Sequence, residues 1–110
     1  MHTATYCLTR YISMLIDVDK LISLSVNLPV VRRKLDTLEA GKINRSSSTG
    51  FSKKRYTNTD IKHPILISED DKLLDGRHRL ARLHDAGRQF CRVRVVPYAM
   101  LKSCIIRYLI

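Results

Sequence analysis

Apolar and polar positions change rhythm several times along the 110 residues. The first thirteen positions show no clear period, and they read as an N-terminal extension ahead of a domain over 14–110, since Met14 could open a domain by itself. Over 17–27, Val18, Leu21, Ile22 and Ser25 fall on one face at helical spacing. Asp17 or Asp19 suits the helix start, and Asn27 with Pro29 beyond it marks the stop. Residues 29–35 read as a strand with a basic second half, and 35–40 as a single helical turn. Residues 41–58 hold Gly41, Gly50, three consecutive serines and several basic residues with no acid, which predicts a long basic loop or lid.

From residue 60 the pattern sharpens. His63–Ser68 is a short β-rich run with Pro64 at its start, where a missing N–H is tolerated. Glu69–Lys72 is an acidic turn and 72–75 a return strand, so 64–75 predicts a hairpin. Gly76 breaks that strand. Residues 77–86 then place Leu80 and Leu83, with Ala81 and His84 beside them, on an inner helix face. Arg77, Arg82 and Asp85 fall outside, and Gly87 suits the position just past the helix end. Residues 90–96 alternate as a strand, closed by Pro97, and 98–110 reads as a terminal helix with Leu101, Ile105 and Leu109 aligned. The sum is a single small α+β domain: a mixed sheet, a few helices and a long loop.

Composition narrows the class. A hydrophobic share of 45% is ordinary for a folded chain and too high for a disordered basic tail. Cys7, Cys91 and Cys104 have neither disulfide-framework nor zinc-ligand spacing. The longest apolar runs, such as 104–110, fall far short of the ~20 residues that span a bilayer. Asp17 and Asp19 follow the N-terminus too closely for a mitochondrial presequence. A cytoplasmic protein with reduced thiols and no membrane partner is expected. The net charge of +10, from 20 Lys and Arg against 10 Asp and Glu, favours a polyanionic partner.

The chemistry concentrates in Leu74-Asp75-Gly76-Arg77-His78-Arg79-Leu80, a strand turning through glycine straight into a helix. The first N–H groups of a helix lack internal acceptors and carry partial positive charge. Gly76 lets backbone approach a ligand, and Arg77, His78 and Arg79 add donors at the same point. Asp75 could orient an arginine or hold a Mg²⁺ that a nucleotide brings. A solvated arginine-rich face and a half-buried histidine are the alternatives. Neither a Walker A loop nor a GxGxxG fingerprint occurs.

The run from His63-Pro-Ile-Leu-Ile-Ser through Leu-Leu-Asp75-Gly-Arg-His-Arg79 to Gly87 and Val93-Arg-Val resembles the core of the ParB/sulfiredoxin-like superfamily. The resemblance spans roughly 17–97 and is specific over 60–96. Against the GERR-type box of partition proteins, which binds CTP phosphates, Gly76 and Arg79 match while Arg77 and His78 differ. The catalytic cysteine of sulfiredoxins falls on Arg77, which argues against sulfinic-acid reduction. Asp75, Gly76, His78 and Arg79 match the D-G-x-H-R form of the family's small-molecule kinases and of many phage and bacterial relatives.

That resemblance implies that His78 and Arg79 contact nucleotide phosphates and that Asp75 assists metal or substrate. The implied ligands are Mg²⁺ and a nucleoside triphosphate, ATP or CTP. The family's kinases also use an acidic general base after the first strand, where Asp36 and Glu39 are the available carboxylates. By their basic, hydroxyl-rich composition, Ser46–Thr49, Lys53, Lys54 and Arg55 could close over the phosphates as a lid, or equally form a disordered, solvated insertion.

A Mg²⁺-dependent kinase or nucleotidase is therefore the expected function. A non-catalytic DNA- or RNA-binding module, carried by basic blocks at 32–34, 53–55 and 88–94, is the alternative. A small phage-type effector acting on a host protein is a third, and an apolar C-terminal edge would allow a homodimer.

Overall fold

The computed structural model describes residues 2–46 and 51–109, and these form an α+β domain of two sheets and four helices. The chain begins with strands β1 (Thr3–Cys7) and β2 (Ser13–Asp17), helix α1 (Val18–Ser25) and strand β3 (Val31–Lys34). Two 3₁₀ turns follow at Leu35–Leu38 and Ala40–Lys42, then helix α2 (Lys53–Asn58). The hairpin of β4 (Ile65–Ser68) and β5 (Leu73–Asp75) leads into α3 (Arg77–Asp85). Strand β6 (Phe90–Val96), α4 (Tyr98–Lys102) and β7 (Ile105–Leu109) complete it. None of the described helices is long and apolar enough to cross a membrane.

The larger sheet runs β3-β6-β4-β5. Its β4–β6 pair is parallel, so the chain crosses back over the sheet through α3. Both faces of β4 are buried, which explains its unbroken Ile-Leu-Ile run. Ile65 and Ile67 pack toward Leu80 and Leu83 of α3 and toward Leu35 and Leu38. Leu66, with Leu74 and Val96, packs on the opposite side against Met14, Ile16 and Leu21. Each such fully buried aliphatic side chain contributes about 1.5–3 kcal/mol.

The smaller sheet, β1-β2-β7, is antiparallel and supplies that second layer. The residues read as an N-terminal extension therefore belong to the fold. Thr3–Cys7 pairs with β2 along its length, and Tyr6 is buried in the core between the sheets. Its hydroxyl donates to Asp70 at 2.9 Å in the acidic hairpin turn. Burial and that hydrogen bond push the Tyr6 phenol up to about 12. Lys72 bonds the Cys7 carbonyl, so β1 is tied to the hairpin at two points.

Three further expectations are corrected. The terminal helix stops at Lys102, and the chain continues as β7, because Ile16 and its neighbours in β2 offer a pairing edge. The basic stretch 41–58 is not one loop: Ala40–Lys42 is a 3₁₀ turn and Lys53–Asn58 a helix capped by the Ser52 hydroxyl. Ile22 and His84 lie outside rather than on inner faces. In α1 the buried stripe is Val18, Leu21 and Ser25, with Asp17 accepting from the Lys20 amide at 3.1 Å as cap.

Candidate functional site

Gly76 sits at the junction of β5 and α3 with φ 109°, a left-handed conformation that side-chain-bearing residues rarely adopt. A Cβ there would also come within 3.0 Å of Ile65 Cγ1 in β4. Conformation and space thus both require glycine. With no side chain at this position, α3 starts without a side-chain cap. The junction opens into a cleft of about 760 Å³. Asp75, Gly76, Arg77, His78 and Arg79 form one wall, Arg55, Asn58 and Thr59 of the α2 region another, and His2 with Thr3, Ala4 and Thr5 of β1 a third.

The Asp-Gly-x-His-Arg residues are brought together, but not all aim their polar groups at the cleft. His78 Nε2 accepts the Ser52 amide at 2.9 Å, and Phe51 stacks on the imidazole at 4.7 Å between ring centroids. Burial, then the nearby Arg55 and Arg77 charges, lower its pKa, so the ring is held neutral. Arg79 donates from Nε to the Asp60 carbonyl at 2.8 Å and from Nη1 to the Pro64 carbonyl at 3.1 Å. Its pKa is lowered by burial, against the pull of Asp75 and Asp60, and the guanidinium remains charged. Both side chains thus anchor neighbouring backbone.

The anchoring extends along α3. His78, Arg82 and Asp85 share one stripe at i, i+4 and i+7. Arg82 Nη1 donates to the carbonyls of Thr57 at 3.0 Å and Thr59 at 2.7 Å. Asp85 accepts a two-pronged pair from Arg45, at 2.6 and 2.7 Å, and the Tyr56 hydroxyl at 2.5 Å. Those bonds, Arg45 first, hold its carboxyl well below the usual carboxylate range. Helix α2 buries no side chain, so polar bonds to α3 rather than packing hold it over the cleft edge.

Of the expected lid residues, Arg55 lines the cleft, whereas Lys53 and Lys54 are exposed on α2 outside it. Ser47, Ser48 and Thr49 lie outside the described residues. Asp36 lines no part of the cleft. Glu39, at φ 54°, pairs with Lys42 at 3.5 Å and borders a second cleft, of about 650 Å³, on the other side of Arg77. Neither expected general base reaches the Gly76 cleft. Among the described residues the one carboxylate lining it is Asp75, whose Oδ1 lies 4.0 Å from His2 Nε2.

Among the described residues no group of three or more His, Cys, Asp or Glu could hold a metal ion. One carboxylate suits a Mg²⁺ that arrives on a nucleotide, since Mg²⁺ takes most of its ligands from phosphates and water. It does not suit a resident ion. The sequence reading missed the β1 wall, with His2, Thr3 and Thr5. Sequence could have pointed to it only through the β-branched Thr3 and Thr5 flanking Ala4, a two-residue signal. Compared with known proteins, the chain matches no family model, no curated protein and no solved structure.

Proposed function

We propose that the chain is a nucleotide-binding domain of the ParB/sulfiredoxin-like type, taking ATP or CTP by its phosphates in the Gly76 cleft and transferring or hydrolysing the terminal phosphoryl group. The observation that carries this reading is the composition of two adjoining cleft walls. An uncapped helix start, Arg77 and the carboxylate of Asp75 lie on one, and Arg55 of α2 on the other. Helix amides and arginine forks complement phosphate oxygens. Phosphoryl transfer asks the protein mainly for positioning and charge neutralisation.

In this reading Arg55 and Arg77 contact the phosphates, and Asp75 holds the nucleotide's Mg²⁺. His78 and Arg79 are positioning residues, because their bonds to Ser52, Asp60 and Pro64 set the cleft walls. Isothermal titration with ATP and CTP in the presence of Mg²⁺, paired with phosphate-release assays, tests it. Arg55→Ala and Arg77→Ala each weaken binding about tenfold, roughly 1.4 kcal/mol. Asp75→Asn keeps Mg²⁺-free binding and loses phosphate release. No heat from either nucleotide at millimolar concentration sinks the reading; binding without release in the wild type removes its transfer half.

A further inference from the structure

The larger sheet presents a second cationic surface, remote in kind from the cleft. Strand β3 pairs antiparallel with β6 so that Arg32 stands directly opposite Arg92, and Lys34 opposite Phe90. Directly opposed residues share one face, and all four of these side chains are exposed. Their alternates Val31, Cys91 and Val93 point the other way, into the cluster beneath α3. Farther along the same face of β6, Val96 is buried in the inter-sheet core. The face therefore changes along its length, from apolar and covered to cationic and open.

Two features of the open end require explanation. Like charges directly opposed across an antiparallel pair are destabilising, yet Arg32 and Arg92 occupy such a pair. Among the described residues no carboxylate forms an ion pair with Arg32, Lys34 or Arg92. Secondly, the Arg32 guanidinium lies 4.0 Å from the centre of the Phe90 ring, which is itself 38% exposed. Arg92 is held in place by donating to the Lys62 carbonyl at 3.2 Å.

We infer that this face binds single-stranded nucleic acid: bases stack on the Phe90–Arg32 pair, and Arg92 and Lys34 meet the phosphates on either side. A polyanion relieves the Arg32–Arg92 repulsion that the free protein leaves uncompensated. Charge alone would serve an acidic peptide equally well. The exposed aromatic with a stacked guanidinium selects the nucleic acid, because every base has a face to stack and acidic side chains have none. The surface is independent of the Gly76 cleft.

Fluorescence anisotropy of the full chain with labelled mixed-sequence single-stranded DNA and RNA of equal length tests this, with polyglutamate as an acidic polymer control. The wild type binds the oligonucleotide, with a salt slope of about −1.4 for the two phosphate-facing cations, Lys34 and Arg92. Phe90→Leu, which keeps an apolar side chain and removes the stacking ring, weakens binding about 5–100-fold. Arg32→Ala/Arg92→Ala weakens binding and flattens the slope by about 0.7, since Arg92 alone of the two meets a phosphate, while nucleotide titration at the cleft is unchanged. A preference between DNA and RNA identifies the sugar recognised. The inference is overturned by no oligonucleotide binding, by binding indifferent to these variants, or by polyglutamate binding as tightly with Phe90→Leu harmless.

Discussion

The cations at the α2–α3 contact and those on the β3–β6 face are equally basic on paper and differ in what they do. Arg79 and Arg82 give their hydrogen bonds to main-chain carbonyls, and Arg45 gives its fork to Asp85. Arg32, Lys34 and Arg92 have no carboxylate partner among the described residues, and two of them face each other across a ladder. The first group holds the protein together; the second, apart from the Arg92 bond to the Lys62 carbonyl, faces outward. A net charge of +10 therefore overstates what is available to a ligand. It is a sum over structural and displayed cations, and only geometry separates them.

Substitutions can break that distinction, and the largest effect is expected where the guanidinium is most buried. Arg79→Ala leaves the Asp60 and Pro64 carbonyls without their donor and lowers unfolding stability by about 2–3 kcal/mol in urea titrations. Arg79→Lys rescues only part, since an ammonium cannot reproduce the fork. Arg82→Ala follows, at about 1–2 kcal/mol, by the same measurement. Asp85→Asn is smaller in stability, about 0.5–1 kcal/mol because the pair is partly exposed. Its clearer readout is faster tryptic cleavage after Lys53, Lys54 and Arg55 as α2 detaches.

Smaller again is a pH effect at His78. Its folded pKa lies below the ordinary 6.5, so the unfolded chain binds the proton more readily. The His78 contribution is complete above about pH 6.5 and is lost as pH falls through the folded value. Protonation turns Nε2 from acceptor to donor, so hydrogen exchange at the Ser52 amide, corrected for intrinsic rate, speeds up at pH 5.5 relative to 7.5. The smallest change is expected on the sheet face. Arg92→Ala shifts unfolding stability by no more than about 0.5 kcal/mol, in the stabilising direction if repulsion with Arg32 dominates. A loss above 1 kcal/mol there would show that these cations are structural too, and the comparison would fail.

Much of the larger sheet and α3 was legible in the sequence, because local rules govern them. Asp17 caps α1, Gly76 and Gly87 bracket α3 at positive φ, and the hairpin turn lies between two apolar runs. The smaller sheet was not. The strands Thr3–Cys7, Ser13–Asp17 and Ile105–Leu109 are short and poorly alternating, and each exists by pairing with a distant partner. Leu101, Ile105 and Leu109 fit a helix spacing as well as they fit α4 followed by β7, so local pattern could not decide. At the site, the glycine junction and its flanking charges were readable. That His78 and Arg79 serve as anchors was not, because Ser52, Asp60 and Pro64 become their partners only through the fold.

The arrangement of strands along the chain carries a consequence for assembly. The whole β3-β6-β4-β5 sheet and its crossover helix lie within residues 31–96, whereas β2 and β7 come from either side of that segment and meet with Ser13 opposite Leu109. Closing so long a loop before its contacts form is entropically unfavourable, and it slows folding more than it weakens the product. The inner segment is thus expected to order first, with the outer sheet zipping onto it afterwards. Since β1 rides on β2 and forms a wall of the Gly76 cleft, the complete cleft is the last feature acquired on folding. It is also the first lost when the outer sheet opens.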